Sequence, residues 1–433
     1  MNDAAGTRGH DPIESLLRGT WTDPDGGGRV GVPVEAIVVE RSLRGHEADL
    51  VAQRRLGRRV AVVCDPDSRR ALGERIERAL SGTFEVVPVT FPDAPRADLP
   101  AVATLRAASV GADALIAVGS GTINDVTKYA AAQDGKPYLV FGTAPSMNGY
   151  TSTNAAITVD GHKQTLPAVA PRGVYLDLEV LAAAPPRLIR AGIGDSLCRA
   201  TAQADWRLSH LVRGTAYRDA PFALLADEEP GWMDRPEDLL RGDLDAMRAL
   251  ARTLVLSGLG MTICQGSYPA SQGEHLIGHY IEMFAPAARP PSLHGEQVAV
   301  ATLAMARLQQ RMLAGPPPAL HPTDVDEAAL AQRFGDEVGR SCWRAFAPKA
   351  LDDAAARDAT AAIRAKWPAI VADVGQIAPD PARIESVLRR AGAPTAPSMI
   401  GVGDDFFATA VRNARFLRDR YTFLDLAGDA RLL

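Results

Sequence analysis

Between about Val34 and Asp177, short apolar runs alternate with stretches of helical spacing. Arg59–Cys64 is a β-branched run of strand length that stops at Asp65-Pro66, and Leu72, Ile76 and Leu80 then recur at helical intervals across Ser68–Leu80. Phe84–Val89 predicts a second strand, and its internal Pro88, which cannot donate to a ladder, assigns that strand to a sheet edge. A helix over Leu99–Val110, a buried strand over Asp113–Val118, a helix over Thr122–Gln133 and a strand over Pro137–Phe141 complete the series. Strands separated by helices of about 10–15 residues demand right-handed crossovers and a mainly parallel sheet.

Beyond Asp177 the texture changes to long helical patterns over Arg187–Leu211, Leu244–Thr262, Glu274–Phe284 and Gln297–Leu313. The prolines at 185 and 186 mark a boundary, because a proline pair ends whatever precedes it. The predicted organisation is a flexible N-terminus (1–30, rich in Asp, Arg and Gly), an α/β dinucleotide-binding domain with a mainly parallel sheet (31–184) and an all-helical C-terminal domain (185–433). Ala288–Ser292 and Ala314–Pro322 are proline-rich connectors, and no internal repeat is present.

No apolar run approaches the ~20 residues of a membrane span, and the first thirty residues lack the apolar core of a secretory signal. A soluble, cytoplasmic protein with no membrane partner is expected. Lys+Arg 47 against Asp+Glu 52 leaves a net charge of −5, so the basic excess needed to hold a nucleic-acid backbone is missing. One small phosphorylated substrate remains within reach of local cations or a helix N-terminus. Cys64, Cys198, Cys264 and Cys342 lie far apart, form no C-x-x-C pair and read as reduced thiols.

Two glycine-rich turns carry the first candidate chemistry. Gly119-Ser120-Gly121-Thr122-Ile123-Asn124-Asp125 ends a predicted strand and opens a helix, where small residues and free N–H groups suit a diphosphate. The spacing is not G-x-G-x-x-G, so a tight structural turn explains the segment equally well. Gly142–Ser152 follows the next strand and is dense in hydroxyls, the kind of loop that faces ligands at the carboxyl ends of parallel strands. Asp65, closing the Val60–Cys64 run, either accepts from a ribose 2′-OH and favours NAD over NADP, or simply caps the helix that Pro66 begins.

Three of the eight histidines fall within twenty residues. His275 and His279 stand at i and i+4 on one helix face, with Glu274 beside the first, and His294-Gly295-Glu296 follows a proline-rich loop. Leu276 stands where a zincin places its glutamate, so the cluster predicts a different metal site. Asp195, in Gly192-Ile-Gly-Asp195 near a helix start, is the best third ligand, although an Asp in a first helical turn also serves the dipole. Two His and one Asp leave coordination positions open, as catalytic metals require.

Taken together, V-G-S-G-T-I-N-D, T-A-P-S-M-N-G-Y-T-S, G-I-G-D and the E-H-x-x-x-H and H-G-E motifs resemble the iron-containing alcohol dehydrogenase and dehydroquinate synthase superfamily. More narrowly they resemble its bacterial sn-glycerol-1-phosphate dehydrogenases, over about Val34 to Leu308. The resemblance implies a homodimeric enzyme that reduces dihydroxyacetone phosphate with NADH or NADPH. By position it implies Asp195, His275 and His294 as ligands of one divalent metal (nickel or zinc, with iron an alternative). Asp195 and His279 are then the catalytic pair, and with Asn148 they contact substrate. Gly119–Asp125, Thr143, Ala144, Pro145, Ser146 and Ser152 would carry the dinucleotide. Asn148 departs from the Asp usual in the family.

The chemistry fits these residue types: a divalent ion polarises a carbonyl, the nicotinamide delivers hydride, and His279 relays a proton near neutral pH. Rival readings are a dehydroquinate-synthase-type cyclase, a dehydrogenase for another carbonyl, and a regulator whose cofactor never turns over. Lys163 is expected at the tip of a hairpin between Ile157–Asp160 and Val174–Asp177, where a cation could meet a substrate phosphate.

Overall fold

In the computed structural model, which describes residues 11–286 and 291–433, the alternating apolar runs become one six-stranded parallel sheet. Its strands are β1 (Ala36–Glu40), β2 (Arg59–Cys64), β3 (Glu85–Thr90), β4 (Ala114–Gly119) and β5 (Tyr138–Gly142). A hairpin of β6 (Asn154–Val159) and β7 (His162–Pro167) then intervenes before the sixth, β8 (Gly173–Asp177). The order across the sheet is β1-β8-β5-β4-β2-β3. Pro88 sits on the edge strand β3 opposite Val62, where its missing N–H costs no ladder bond. Strands β4, β5 and β8 are buried along their whole length. Ala61, Val63, Leu115, Val140 and Leu176 form one face of the sheet, and Val60, Val62, Ile116, Leu139 and Tyr175 the other. Covering both faces is what turns these strands into continuous apolar runs.

Two expectations are corrected here. Val174–Asp177 does not pair with Ile157–Asp160: β6 pairs with β7 across Asp160-Gly161, both in the left-handed region (φ 49 and 78), while β8 enters the central sheet between β1 and β5. The fully buried Val174, Tyr175 and Leu176 suit a central strand, not one arm of a solvated hairpin. Lys163 therefore lies on β7, past the turn. The flexible segment expected over 1–30 is ordered where the structure describes it, and 1–10 lie outside the described residues. Asp11 caps a helix at Pro12–Leu17 whose Ile13 and Leu16 join the core, and Trp21–Thr22 pairs with Arg29–Val30. Asp25 accepts from the Asp219 N–H at 2.8 Å, tying this segment to the helical half.

Downstream of β8 the described residues are helical or irregular. Five helices position the site: α1 (Gly121–Asp134), α2 (Pro186–Arg213), α3 (Leu244–Ile263), α4 (Gly273–Phe284) and α5 (His294–Ala314). Helix α2 begins at the proline pair, as expected, yet the core does not divide there. Leu250, Leu254 and Leu259 of α3 share one apolar cluster with Leu115, Val140 and Leu176 of the sheet. A second core, around Leu276, Ile281, Met305, Phe346 and Phe423, belongs to the C-terminal helices. The connector at Ala314–Pro322 is irregular past Ala314, and most of that at Ala288–Ser292 lies outside the described residues.

Candidate active site and metal centre

The site opens at the carboxyl ends of β4 and β5, beside the point where the strand order reverses, the usual ligand position in open parallel sheets. Gly119 and Gly142 end these strands opposite one another, and the Thr143 N–H donates to the Gly119 carbonyl at 3.1 Å. A methyl group on Gly119 would lie 2.6 Å from Ile123 Cβ, so this glycine is required by the tightness of the turn itself. Ser120, Gly121, Thr122 and Asp125 line the cleft above α1, and Ser146, Asn148 and Ser152 line it from the following loop. Ile123, Asn124, Thr143, Ala144 and Pro145 shape the turns instead and do not line the cleft. Asp65 likewise stays outside. It caps the helix begun by Pro66, accepting from the Ser68 N–H at 2.7 Å while Ser68 Oγ accepts from its own N–H.

Three glycines then bring the two halves together. A methyl on Gly192 would fall 1.6 Å from the Pro145 carbonyl oxygen, one on Gly194 2.2 Å from Gly295 O, and one on Gly295 2.0 Å from Ala191 O. Helix α2 thus crosses both the loop that carries Pro145 and the start of α5 at backbone contact, which only glycine permits. Asp195 follows Gly194 and His294 precedes Gly295, so the crossing delivers both into one place. Asp195 is the tenth residue of α2, not in its first turn, and the dipole explanation for it fails.

Possible ligand atoms of Asp195, His275 and His294 lie within 4.8 Å of one another. Asp195 is buried. Its Oδ2 accepts from the Asn148 N–H at 2.8 Å, while its Oδ1 has no hydrogen-bond donor and lies 3.4 Å from His275 Nε2. His275 Nδ1 faces Glu274 Oε1 at 3.0 Å and His294 Nδ1 faces Glu282 Oε1 at 3.1 Å. Each carboxylate fixes the proton on Nδ1 and leaves Nε2 free, the arrangement that orients metal-binding imidazoles. Burial opposes a charge on His275, but Asp195 and Glu274 outweigh it and raise its pKa to about 9. Burial likewise opposes ionisation of Asp195, which His275 and His294 nonetheless hold below the usual carboxylate range. A buried carboxylate oxygen without a donor, beside a ring that attracts a proton, is a site that calls for a cation.

The competing donor sets fit less well. Burial pushes the Cys198 thiol well above its ordinary pKa, and its Sγ is 2.9 Å from the Asp195 carbonyl. His279 Nδ1 accepts from Arg418 Nη2 at 3.1 Å, which commits its proton to Nε2. Burial, then Arg418, hold His279 well below the usual imidazole pKa. His279 is therefore a neutral hydrogen-bond donor, which corrects the expectation of a group titrating near neutral pH. Its ring stacks at 5.5 Å on that of His294.

Several functional residues escaped the reading from sequence. Lys128, fully buried, donates to Gly149 O, Ser152 Oγ and Asn154 O at 2.7–3.0 Å and welds the loop to the hairpin. Its place at i+3 from Asp125 was the available signal, and the two approach to 3.7 Å. Glu282, at i+7 from His275, shares the face of the two histidines. Burial works to raise its pKa, but Lys163 and His294 outweigh burial and lower it to about 2. Arg418 lies 139 residues from His279 in sequence, and no local pattern pairs them.

Residues 38–185 match the family described as iron-containing alcohol dehydrogenase. A glycerol-1-phosphate dehydrogenase (NAD(P)+) of Bacillus licheniformis is 31% identical over 382 residues, covering 87% of this chain and 84% of that protein. Its Bacillus subtilis counterpart is 31% identical over 409 residues, 93% of each chain, and that of Pyrococcus furiosus is 35% identical over 250, 58% and 71%. Among solved structures, an NADH-dependent butanol dehydrogenase A from Thermotoga maritima superposes with a TM-score of 0.60 at 15% identity, covering 93% of this chain and 96% of that one. That likeness carries the fold alone.

Proposed function

Because the chain belongs to the glycerol-1-phosphate dehydrogenases of the iron-containing alcohol dehydrogenase superfamily, we propose that it reduces dihydroxyacetone phosphate to sn-glycerol 1-phosphate with NADH or NADPH. The observation that carries this reading is the Asp195–His275–His294 cluster, its first two members buried and the third half-buried, open to the cleft that the β4–α1 turn floors. A divalent ion held there supplies Lewis-acid polarisation of the C2 carbonyl, and a reduced nicotinamide in the same cleft supplies the hydride.

The rest is the work of this chain's residues. Glu274 and Glu282 hold the two imidazoles in the tautomer that ligation needs, and the Asn148 N–H steadies Asp195 through Oδ2. His279, its Nδ1 occupied by Arg418, offers the Nε2–H to the substrate oxygen on which negative charge develops. The first turn of α1, with Ser120, Gly121 and Thr122, presents free N–H groups to the dinucleotide diphosphate. Asn148 is a neutral contact to substrate, and Lys163 stands on the cleft wall as a cation for its phosphate. We further assign the dinucleotide to the 31–184 part, the metal to the helices beyond 185, and a cytoplasmic homodimer as the working form. Among the described residues no helix is long and apolar enough to cross a membrane.

Steady-state oxidation of NADH and NADPH with a panel of carbonyls tests this. Dihydroxyacetone phosphate should give a kcat/KM about 10- to 100-fold or more above unphosphorylated dihydroxyacetone, since losing a buried charged contact costs about 1.5–3 kcal/mol. A preferred substrate without phosphate would overturn the proposal.

A further inference from the structure

Five cationic side chains are buried among the described residues: Lys128, Lys349, Arg415, Arg418 and Arg420. Burying a charge is costly unless an opposite charge accompanies it. Three of the five obey. Lys128 has Asp125, Lys349 has Asp425, and Arg415 has Asp425 and Asp429. Arg418 and Arg420, each only 9% exposed, have no carboxylate within ion-pairing distance among the described residues; the exposed Asp419 between them lines the same recess without reaching either guanidinium.

Both arginines line one recess, together with Lys163, Arg344 and Ser267. Asn154, Lys163, Thr165 and Ser267 line this recess and the catalytic cleft alike, so the two are continuous. Arg420 Nη2 donates to Ser267 Oγ at 2.7 Å and its guanidinium stacks 4.8 Å over the Tyr268 ring, which fixes its plane. Arg418 reaches His279 Nδ1 at 3.1 Å, which puts the recess one side chain behind the catalytic imidazole. Lys163 meets Glu282 at 3.7 Å.

We propose that this recess is the subsite for the phosphate monoester of the substrate, and that Arg418 and Arg420 are its specificity-determining residues. The inference rests on the reading of the chain as a triose-phosphate reductase. Two preorganised guanidinium groups present planar N–H forks suited to phosphate oxygens, and a dianion there supplies the direct ion pair that neither arginine has, outweighing the single exposed Asp419 at the recess rim. In dihydroxyacetone phosphate only C3 and the ester oxygen separate C2 from phosphorus, so the phosphate must bind beside the cleft wall that carries His279. Arg418 would thereby couple phosphate binding to the orientation of the proton donor.

The test uses holoenzyme and the variants Arg420→Gln and Arg420→Lys, with inorganic phosphate as probe. Calorimetry and thermal melts should show phosphate binding to and stabilising wild type, with the affinity lost about 10- to 100-fold in Arg420→Gln. Arg420→Lys should retain part of it. In turnover, Arg420→Gln should raise KM for dihydroxyacetone phosphate by a similar factor and leave kcat/KM for dihydroxyacetone within about threefold. Inorganic phosphate should compete with dihydroxyacetone phosphate but not with dihydroxyacetone. Equal phosphate affinity in wild type and Arg420→Gln would overturn the subsite, as would inhibition non-competitive with dihydroxyacetone phosphate, the signature of a separate anion site. Phosphate binding that requires Arg420 in a protein that fails to reduce dihydroxyacetone phosphate would refute the proposed substrate and keep the subsite.

Discussion

Adding one methyl group at Gly295 tests how the proposed metal ligands are brought together. In Gly295→Ala the new Cβ would lie 2.0 Å from the Ala191 carbonyl oxygen and 2.6 Å from its carbon, both backbone atoms that cannot rotate away. Ordinary contact begins near 3.4 Å, so α2 and α5 must part by roughly 1.4 Å (3.4 − 2.0). Asp195 and His294 ride on those helices, and a catalytic constellation tolerates only about 0.5 Å of displacement. The overpacking alone costs about 1–3 kcal/mol. Thermal melting should therefore fall, metal content of the purified protein should drop, and kcat/KM should fall about a hundredfold or more, the usual result of a 1 Å misplacement. Gly278→Ala is the matched control, on α4 between His275 and His279. Its Cβ would sit 3.6 Å from Val298 Cγ2, an ordinary contact. It should stay active and gain about 0.5–1 kcal/mol from helix propensity. A Gly295→Ala protein with full metal content and kcat/KM within about threefold of wild type would refute the reasoning.

Removal of Asp195, His275 or His294 by alanine should abolish metal binding and turnover while dinucleotide binding persists, checked by metal analysis and NADH fluorescence titration. His279→Ala should keep the metal and lose about 10²–10⁴-fold in kcat, the range for a lost proton donor. Asn148→Asp should remain active with a shifted pH–rate profile, since only the variant adds a titratable side chain next to Asp195; an unchanged profile would show that position 148 does not face the reaction. Burial pushes the Cys64 and Cys342 thiols up to about 12. At pH 8 about one thiolate in ten thousand results, so native protein should resist iodoacetamide while unfolded protein reacts at all four cysteines.

Local pattern made some of this molecule legible and long-range packing hid the rest. The apolar runs at Arg59–Cys64 and Asp113–Val118 announce strands because both sheet faces are covered, and Pro88 announces its edge. The histidine pair announced itself through the helical period. The hairpin's partner is not decidable locally, because Val174–Asp177 and the turn at Asp160-Gly161 are both good local signals, and only the place between β1 and β5 decides which strand goes where. Asp195 is legible as a candidate ligand but not in its helical position, the tenth residue of α2. The reason for its neighbouring glycines, a crossing at backbone contact of Gly194 with Gly295 and of Gly192 with Pro145, depends on segments 101 and 47 residues away. Arg418 and Arg420 were invisible for the same reason. A buried cation without a carboxylate is a fact about the whole packed molecule.

The central claim is metal-dependent reduction of a triose phosphate at the Asp195–His275–His294 cluster. Its most direct measurement strips the metal with chelator, restores nickel, zinc or iron one at a time, and follows NADH and NADPH oxidation with dihydroxyacetone phosphate while resolving the enantiomers of the product. The account predicts no turnover in the stripped protein, recovery at one ion per chain, and sn-glycerol 1-phosphate as the product. Undiminished turnover by the metal-free protein, or the 3-phosphate enantiomer as product, would contradict it.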